Sequence, residues 1–422
     1  MNNRRYTLPA LILVTATLLS ACGANPQGEN AVENAAGELR TELTESEMEG
    51  GHASYQMDDN LFVDADVTVK SKYENGLPSY YLEILYETED TSKETFKKNP
   101  MVCQRDFKEW SSLLEKIVPG KFEKNKFLIN KEDDLDSAGY EAENGRKYFL
   151  DASWAGIVDG LDKNIPFNST VAYFNSEDRP EFVGTEYNIM KHIRNYADSN
   201  DLDFLQNVEE QADTIKAFLE EMSGRTINSR YDFVPVGKTN FQTIQEKQSA
   251  REEQDREYGW FCFCYDVNGL PFKNMYLNYD LGDKEAEEIS YWSSAGGKQL
   301  VSLSEHEQEV LVDRDGILSI VCSKMRDVGE QYRERTPVIS PNEALKQVKA
   351  HYDRELLTEP CYISDIELVY TGYFSDGSEE LVRPVVMPFW VVTVYDEIQM
   401  RGRQHFTYDA YTGECIEEAA AE

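Results

Sequence analysis

The sequence predicts an α+β fold in which antiparallel sheets are packed by a few helices. Apolar and polar residues alternate over residues 63–69 and again over 80–86, which is the pattern of strands with one buried face. Asn75-Gly76 separates the two runs and favours a hairpin turn, because both turn positions need a positive φ. Apolar residues at helical spacing over 203–222 and 340–352 predict two of the packing helices.

The predicted helices begin and end at residues suited to those positions. Asp106 can cap a further helix, which ends before Pro119. In the C-terminal helix Ser340 is the predicted N-cap, Pro341 takes the first helical position and Glu343 completes a capping box. The predicted buried face of this helix comprises Ala344, Leu345, Val348 and Tyr352. Three strands are predicted to follow it, at residues 366–370, 389–395 and 406–410.

Composition predicts a tether followed by two folded domains. Residues 22–58 are rich in Gly, Ala, Asn and Glu and almost free of aromatic residues, so we expect a disordered tether. Hydrophobic residues make up 41% and aromatic residues 12% of the chain, which is enough to build real cores. We expect an N-terminal α+β domain over 59–235 and a C-terminal α+β domain over 250–422, because the chain turns polar between them.

A short sequence repeat bears on the origin of these domains. Asn75-Gly76-Leu77-Pro78 recurs as Asn268-Gly269-Leu270-Pro271, and strand-like residues follow both copies. Two interpretations stay open from the sequence. The repeat can reflect the duplication of a hairpin-led unit, or it can be a favourable turn that has recurred by chance.

The first 21 residues have the features of a cleaved export signal. Arg4 and Arg5 precede an apolar stretch from Leu8 to Leu19, which is too short to span a bilayer. The segment ends with Ala21 directly before Cys22, which resembles the lipobox of bacterial lipoproteins. The resemblance implies cleavage between Ala21 and Cys22, diacylglycerol on the Cys22 thiol, and lipid anchoring at the extracytoplasmic face of the cell membrane. An ordinary secretion signal is the alternative.

The C-terminal order of one helix and three strands resembles the PepSY-like modules of bacterial envelope proteins. The matching motifs are Pro388-Phe389-Trp390-Val391 in the second strand and Asp409-Ala410-Tyr411-Thr412-Gly413 after the third. The resemblance covers about residues 335–420. It implies peptidase inhibition or regulation of envelope signalling, and it transfers no catalytic residues. The whole chain also resembles large lipoproteins of Gram-positive anaerobes.

The chain is strongly acidic. It contains 78 Asp and Glu residues against 42 Lys and Arg residues, which gives a formal charge of −36. Removal of residues 1–21 takes away two positive charges, Arg4 and Arg5, and no acid, so −36 becomes −38. Bulk electrostatics therefore exclude nucleic acid and anionic lipid surfaces as ligands, whereas a basic protein partner remains compatible.

The cysteines do not specify a metal site. Besides Cys22, the chain contains Cys103, Cys262, Cys264, Cys322, Cys361 and Cys415. In an exported chain they allow several disulfide pairings, which the sequence does not resolve. Cys262 and Cys264 lie two apart in a predicted strand, so both point to one face. Without a CxxC motif or a close Cys-His group, buried thiols or disulfides are favoured over zinc.

No motif in the sequence identifies a catalytic or metal site. His306-Glu307 begins an HExxH-like run, but Val310 stands where the second histidine would be needed. Asp134 and Asp136 begin a pattern like a calcium loop, but Gly145 replaces the glutamate required at its last position. We therefore expect no catalytic residues, no metal ligands and no cofactor besides the lipid on Cys22. An irregular calcium site among the many acids stays open, without a motif to support it.

Tyrosines cluster on the predicted strands. The members are Tyr80, Tyr81, Tyr276, Tyr279, Tyr370, Tyr373, Tyr408 and Tyr411. Tyrosine on a strand usually packs half-buried against its neighbours, so we interpret the cluster as core packing. Exposed rows of the same residues would instead indicate a surface that binds peptide or glycan.

These observations predict a non-enzymatic, membrane-tethered extracytoplasmic lipoprotein that binds or regulates an envelope protein. A peptidase, a sensor and a transport complex are the candidate partners. The first alternative is an extracellular lipoprotein that binds peptide or glycan, for which exposed aromatic residues would be the discriminating feature. The second alternative is a hydrolase, which would need convergent polar residues with perturbed pKa values in a cleft.

Overall fold

The structure is a computed structural model in which strands predominate. It describes residues 39–84, 102–103, 116–118, 137–141, 145–151, 167–168, 171–176, 208–236, 258–273, 278–279, 285–286, 292–293, 299–300, 308–323, 326–354, 357, 360–374, 381–382, 384–396 and 404–420. These residues form antiparallel and mixed sheets with a few helices, so the predicted α+β class holds in a strand-dominated form. No helix in this part of the chain is long and apolar enough to cross a membrane.

The structure describes three α-helices, of which the second and third were predicted from the sequence. They are α1 (Glu45–Gly50), α2 (Val208–Ser223) and α3 (Pro341–Tyr352). In α3 the predicted capping box is confirmed, because Ser340 Oγ accepts a hydrogen bond from the Glu343 amide and the Glu343 carboxylate accepts one from the Ser340 amide. Helix α2 ends before Gly224, whose φ is 68°, as predicted, and residues 203–207, where the helix was predicted to begin, lie outside the described residues. The helix predicted after Asp106 lies outside the described residues except at 116–118, which form a turn.

The strands are numbered in chain order. Those before residue 250 are β1 (His52–Asp58), β2 (Leu61–Val67), β3 (Leu77–Ile84), β4 (Val102–Cys103), β5 (Ser137–Glu141), β6 (Lys147–Asp151), β7 (Phe167–Asn168), β8 (Val171–Ser176) and β9 (Ile227–Val236). Those after it are β10 (Tyr258–Val267), β11 (Leu270–Phe272), β12 (Asn278–Tyr279), β13 (Glu285–Ala286), β14 (Trp292–Ser293), β15 (Gln299–Leu300), β16 (Gln308–Asp313), β17 (Gly316–Ser323), β18 (Arg326–Thr336), β19 (Cys361–Phe374), β20 (Leu381–Val382), β21 (Pro384–Asp396), β22 (Gln404–Asp409) and β23 (Cys415–Ala420).

One 16-stranded sheet contains most of these strands. Its main path runs β18-β3-β21-β19-β11-β10-β16-β17-β8-β6-β5. Strand β2 joins it through β19, with β1 beyond β2, while β9 joins through β10 and β22-β23 join through β21. The antiparallel pair β19–β21, with strands of 14 and 13 residues, is its longest ladder. The predicted C-terminal order of helix, strand, strand and strand is present as α3, β19, β21 and β22, with the two-residue β20 of a separate sheet between β19 and β21.

The predicted hairpin at Asn75-Gly76 is wrong. The run before this turn forms β2, which pairs with β1 and β19, and the run after it forms β3, which pairs with β18 and β21. A short 3-10 helix, Lys70–Lys72, separates the two strands. The second copy does form a hairpin, between β10 and β11, with φ values of 55° at Asn268 and 82° at Gly269. The two copies therefore have different surroundings, which argues against duplication of a hairpin-led unit.

Part of the segment expected to be a tether is ordered. Helix α1 and strand β1 both fall within residues 22–58. In β1, Ala53, Tyr55 and Met57 are 1%, 2% and 1% exposed. Average composition concealed this strand, because the polar residues that alternate with these three face the opposite side. The sequence therefore predicts the end of the tether too far along the chain, because the ordered part begins before residue 58.

Strand pairing crosses the expected division between residues 59–235 and 250–422. Strands β2 and β3 pair with β19 and β21, β8 pairs with β17, and β9 pairs with β10. A buried ion pair also crosses it, with Arg146 Nη2 2.8 Å from Asp313 Oδ2. Both expected domains thus contribute strands to the same sheet.

The two faces of the central strands are occupied differently. On β19, Ile366, Leu368 and Tyr370 belong to the main core, which also contains Leu219 of α2 and Leu345 of α3. We call this side the helix face. The residues between them on β19 point to the opposite side, which we call the second face. The second face carries a smaller apolar cluster, made of Val369, Val385, Met387, Phe389 and Val391.

Candidate functional site

The sheet forks along one edge of β19. The first half of β19 pairs in parallel with β2, and further along Tyr370 pairs in parallel with Phe272 of β11. Thr68 hydrogen-bonds to the edge of β19 between the part that pairs with β2 and the part that pairs with β11. Its amide donates to the carbonyl of Ile366 at 3.0 Å, and its Oγ1 accepts from the amide of Leu368 at 2.8 Å. A β2–β1 branch and a β11–β10–β9 branch diverge from this point.

Charged side chains from both branches meet at the fork on the second face. We call the charged cluster the set His52, Asp64, Asp66, Arg230, Lys273, Asp365 and Glu367. Alternation along the strands places them there. On β2, for example, Val63, Ala65 and Val67 are buried in the main core, so Asp64 and Asp66 between them face the other way. The cluster therefore follows from one-sided burial of the strands.

Glu367 forms the buried base of the charged cluster. Only 5% of the residue is exposed. Its Oε2 lies 2.5 Å from Nζ of Lys273, and its Oε1 lies 2.8 Å from Nη1 of Arg230. The backbone amide of Lys273 donates to the carbonyl of Tyr370 at 2.9 Å, which fixes the start of its side chain. One carboxylate thus holds two cations in a fixed position.

Mutual attraction keeps the base ionised. Burial raises the pKa of Glu367, but the adjacent charges of Arg230 and Lys273 lower it by more, so the net shift is downward. Burial lowers the pKa of Lys273, but the surrounding negative groups, Glu367 first and then Asp232, together raise it by more, so the net shift is upward. All three side chains are therefore charged at neutral pH.

Arg230 connects the buried base to an exposed rim. Its Nη2 lies 3.0 Å from Oδ1 of Asp365 and 3.8 Å from Oδ2 of Asp66. Further out, the imidazole of His52 lies 3.3 Å from Asp66 and 3.5 Å from Asp64. Hydrogen bonds to Asp64 and Asp66 raise the pKa of His52 to about 10. The rim therefore carries a protonated histidine between carboxylates.

The chemistry of the charged cluster suits ionic binding better than proton transfer. A general acid or base works best with a pKa near the operating pH. The lowered pKa of Glu367 and the raised pKa of His52 move both groups away from neutrality. Each keeps its charge, so the exposed His52 can orient a charged group of a ligand while the buried Glu367 holds Arg230 in place. Within the described ranges, no three His, Cys, Asp or Glu side chains are grouped to hold a metal ion.

An aromatic stack lies beside the charged cluster. Phe62, two residues before Asp64 on β2, stacks on Tyr362 with ring centroids 5.3 Å apart. Tyr362 in turn stacks on Tyr395 of β21 at 5.4 Å. Because Tyr362 is only 3% exposed, the stack is packed structure rather than an open row of rings. The stack packs three neighbouring strands, β2, β19 and β21, against one another beside the cluster.

The tyrosines predicted to be core residues are packed where their side chains are described. Tyr370 and Tyr408 are buried, and Tyr80, Tyr81, Tyr373 and Tyr411 are half-buried. Tyr276 and the side chain of Tyr279 lie outside the described residues. The hydroxyl of Tyr370 donates to the carbonyl of Pro78 at 2.7 Å and accepts from Nδ2 of Asn268 at 3.1 Å. The two copies of Asn-Gly-Leu-Pro thus meet in space without sharing a fold.

The site residues predicted from the sequence are not part of the charged cluster. Ala21 and Cys22 lie outside the described residues, and so do Asp134, Asp136 and His306. The cysteines whose side chains are described are Cys262, Cys264, Cys322 and Cys361, which are buried, and Cys415, which is exposed.

Sequence reasoning missed Arg230, Lys273, Asp365 and Glu367. One signal was present, because Glu367 is a charged residue between the apolar residues Ile366 and Leu368 of β19. Lys and Glu are rarely buried unless they are paired, so such a residue indicates a buried partner. The identity of that partner could not be read from the run itself. The sequence thus indicates that Glu367 has a buried charged partner, but it does not identify the other members of the cluster.

Comparison with known proteins does not assign this chain to a family. No family model matches it, and no curated protein matches it significantly. Among solved structures, the chain is similar to an uncharacterized protein from Eubacterium rectale, at 15% sequence identity and a TM-score of 0.49. The similarity covers 93% of this chain and 99% of that chain.

Proposed function

We propose that the protein is a lipid-anchored extracytoplasmic protein of the cell membrane that binds and regulates an envelope protein without catalysing a reaction. The lipobox-like ending at Ala21-Cys22 supports the anchor, which would be diacylglycerol on Cys22. The charged cluster supports the binding role and is the proposed contact surface. The partner would be a peptidase, a sensor or a transport complex.

The observation that carries this proposal is the graded exposure of the charged cluster. The exposed fraction of the side chain falls from 57% at His52 and 51% at Asp66 to 34% at Arg230 and 6% at Glu367. The base therefore holds the rim charges in place before a partner arrives. Such preorganisation reduces the entropy lost on binding, and fixed charges of both signs select the partner and its orientation.

The net charge of the chain specifies the sign of the partner surface. A formal charge of −36 creates a field that attracts a basic surface and repels an acidic one. This attraction is screened over about 8 Å at physiological ionic strength, so it acts mainly on the rate of encounter. We therefore expect a basic partner surface and an association rate that falls as salt is added.

Substitution of Cys22 tests the anchor. We expect the Cys22→Ala protein to appear in the medium, whereas the unaltered protein stays in the membrane fraction. Cys415→Ala, which changes the exposed cysteine near the other end of the chain, is the matched control and should remain with the membrane. Membrane retention of Cys22→Ala would contradict the lipid anchor.

Site-specific photocrosslinking in cells tests the contact surface. A photoreactive residue at Ser54 would report on it, because Ser54 is exposed on β1 and pairs in register with Asp64. We expect a recurrent envelope protein to crosslink from Ser54, and the product to disappear in the Asp66→Lys variant. Lys346, exposed on α3, is the control position. Identical products from both positions, or products that persist in Asp66→Lys, would rule this surface out.

A further inference from the structure

The chain enters its folded body through a short segment that we call the strap, residues 39–50. The strap contacts the N-terminal turn of α3 through a paired hydrogen bond. The amide of Leu43 donates to Oδ1 of Asn342 at 2.7 Å, and Nδ2 of Asn342 donates to the carbonyl of Leu43 at 3.1 Å. The Leu43 residue is 4% exposed. One amide side chain of α3 thus holds the strap as a neighbouring strand would.

A second group of contacts lies at Arg40. Its backbone amide donates to the carbonyl of Gln56 in β1 at 3.1 Å. Its guanidinium lies 3.9 Å above the ring centroid of Tyr55 and donates from Nη1 to Glu47 at 2.7 Å. Glu47 also completes the capping box of α1 with Thr44. Arg40 therefore links the start of the strap, its helix and β1.

Few side-chain contacts offset the conformational entropy that the strap gains when it undocks. Leu43 is the one buried residue between 39 and 50, while Met48 packs half-buried against the core and Glu45 pairs with Lys70 at the surface. Helix α1 has only six residues, which is too short to be stable alone. Docking also leaves the hydroxyl of Tyr55 buried, with no hydrogen-bond partner in the described part of the chain. A segment with so little burial opens locally without unfolding the rest of the protein.

We propose that the strap is a latch that undocks as a unit and lengthens the connection between the lipid anchor and the body. This inference rests on the lipid anchor of the proposed function. With the strap docked, the 16 residues between Cys22 and Leu39 can span at most about 55 Å. With the strap released, the 28 residues between Cys22 and Gly51 can span about 95 Å. Latch opening would therefore extend the reach of the charged cluster from the membrane.

Cleavage by trypsin at Arg40 tests the latch. Arg40 is the sole Lys or Arg between Arg5 and Lys70, so cleavage there is read from one fragment. We expect slow cleavage when the strap is docked, and cleavage about tenfold faster after Asn342→Ala, because the rate follows the open population. Leu43→Ser should act in the same direction. Lys346→Ala, an exposed change on the same helix, should leave the rate unchanged.

Hydrogen exchange separates the latch from general destabilisation. Amides of β19 and β21 should exchange equally slowly in all variants. If Asn342→Ala speeds their exchange, that variant also destabilises the body, and the rate of cleavage at Arg40 in Leu43→Ser then decides. Wild-type cleavage as fast as in the denatured chain, or variants cut no faster than Lys346→Ala, would overturn the latch. All of these measurements use the full chain with Cys22→Ala. Their result is therefore independent of whether Cys22 carries lipid or the charged cluster binds a partner.

Discussion

Glu367 is the residue on which the charged cluster depends most. It is 5% exposed and contacts Lys273 at 2.5 Å and Arg230 at 2.8 Å. We predict that Glu367→Gln lowers the free energy of unfolding by about 3 kcal/mol, because it keeps the side-chain shape but leaves two cations without their shared carboxylate. Urea unfolding at neutral pH, followed by tryptophan fluorescence, measures the difference.

An exposed acid provides the matched control for Glu367. Asp353 pairs with Lys349 at 2.6 Å across one turn of α3, and its side chain is 52% exposed. Surface ion pairs are solvated and contribute little, so Asp353→Asn should cost less than about 1 kcal/mol. Equal losses in the two variants would show that burial does not strengthen the contacts of Glu367.

The two ends of the charged cluster titrate in opposite directions. The pKa of Glu367 is lowered, so its contribution to stability is present above its ordinary pKa and is lost as the pH falls through the folded value. The pKa of His52 is raised to about 10 by hydrogen bonds to Asp64 and Asp66. Its contribution is therefore complete below an unfolded pKa of about 6.5 and is lost as the pH rises through about 10.

We predict that the stability difference between the unaltered protein and His52→Gln is largest at about pH 6 and vanishes above about pH 10. Urea midpoints at several pH values measure this difference. An NMR titration of the imidazole checks its cause, since the ring should remain protonated at about pH 8. A titration midpoint near 6.5 would show that the two aspartates do not hold the proton on His52.

At the scale of elements, local signals were predictable and pairing was not. The capping box of α3 involves residues three apart, so Ser340 and Glu343 identify it from the sequence alone. The alternation of β2 likewise predicted a strand with Asp64 and Asp66 on one side. A strand pattern does not name its neighbour, however. The run after Asn75-Gly76 pairs with strands more than 200 residues away, and no feature of the turn indicates this.

The charged cluster escaped prediction for the same reason. Arg230 and Asp365 are 135 residues apart, and Lys273 and Glu367 are 94 apart. Apart from Glu367, these residues look ordinary in the segments that carry them, since charged residues usually face solvent. Their convergence depends on the order of strands around β19. Composition therefore predicted an acidic surface, and topology alone determined where its cations lie.

The turn at Gly76 provides a test of how closely two elements approach. Its φ is +69°, and an added Cβ would lie 2.7 Å from the carbonyl oxygen of Thr336 at the end of β18. We predict that Gly76→Ala destabilises the protein by about 2 kcal/mol more than Gly145→Ala, as measured by urea unfolding. Gly145 has a φ of +83°, but its Cβ would meet no described atom within 4 Å.

This pair of glycines separates two causes. Alanine at either position bears the cost of a left-handed backbone, about 1 kcal/mol. Only the alanine at Gly76 also overlaps a backbone carbonyl, which cannot move without shifting the β18–β3 ladder. Equal losses at both positions would mean that the end of β18 moves freely enough to admit a methyl group.

At the scale of the whole molecule, strands from both halves of the chain depend on one another. The central pair β19–β21 lies within the C-terminal half, yet β2 covers part of one edge of β19 and β3 covers part of the edge of β21. Beyond the fork, β9 covers β10 and β8 covers β17. Without these four strands, the C-terminal half would expose several backbone edges and the apolar side chains beneath them.

We predict that residues 250–422, expressed alone, do not unfold in a cooperative transition. The fragment retains α3, β19, β21 and β22, but it loses β2, β3, β8 and β9 and the carboxylates and guanidinium that they bring to the fork. Glu367 and Lys273 would then remain without Arg230 above them.

Residues 39–422, which keep all four pairings, are the control and should unfold with one midpoint. Circular dichroism in urea distinguishes the two outcomes. A cooperative midpoint for 250–422 near that of 39–422 would mean that the pairing across the chain adds little stability and that the C-terminal half folds as an autonomous unit.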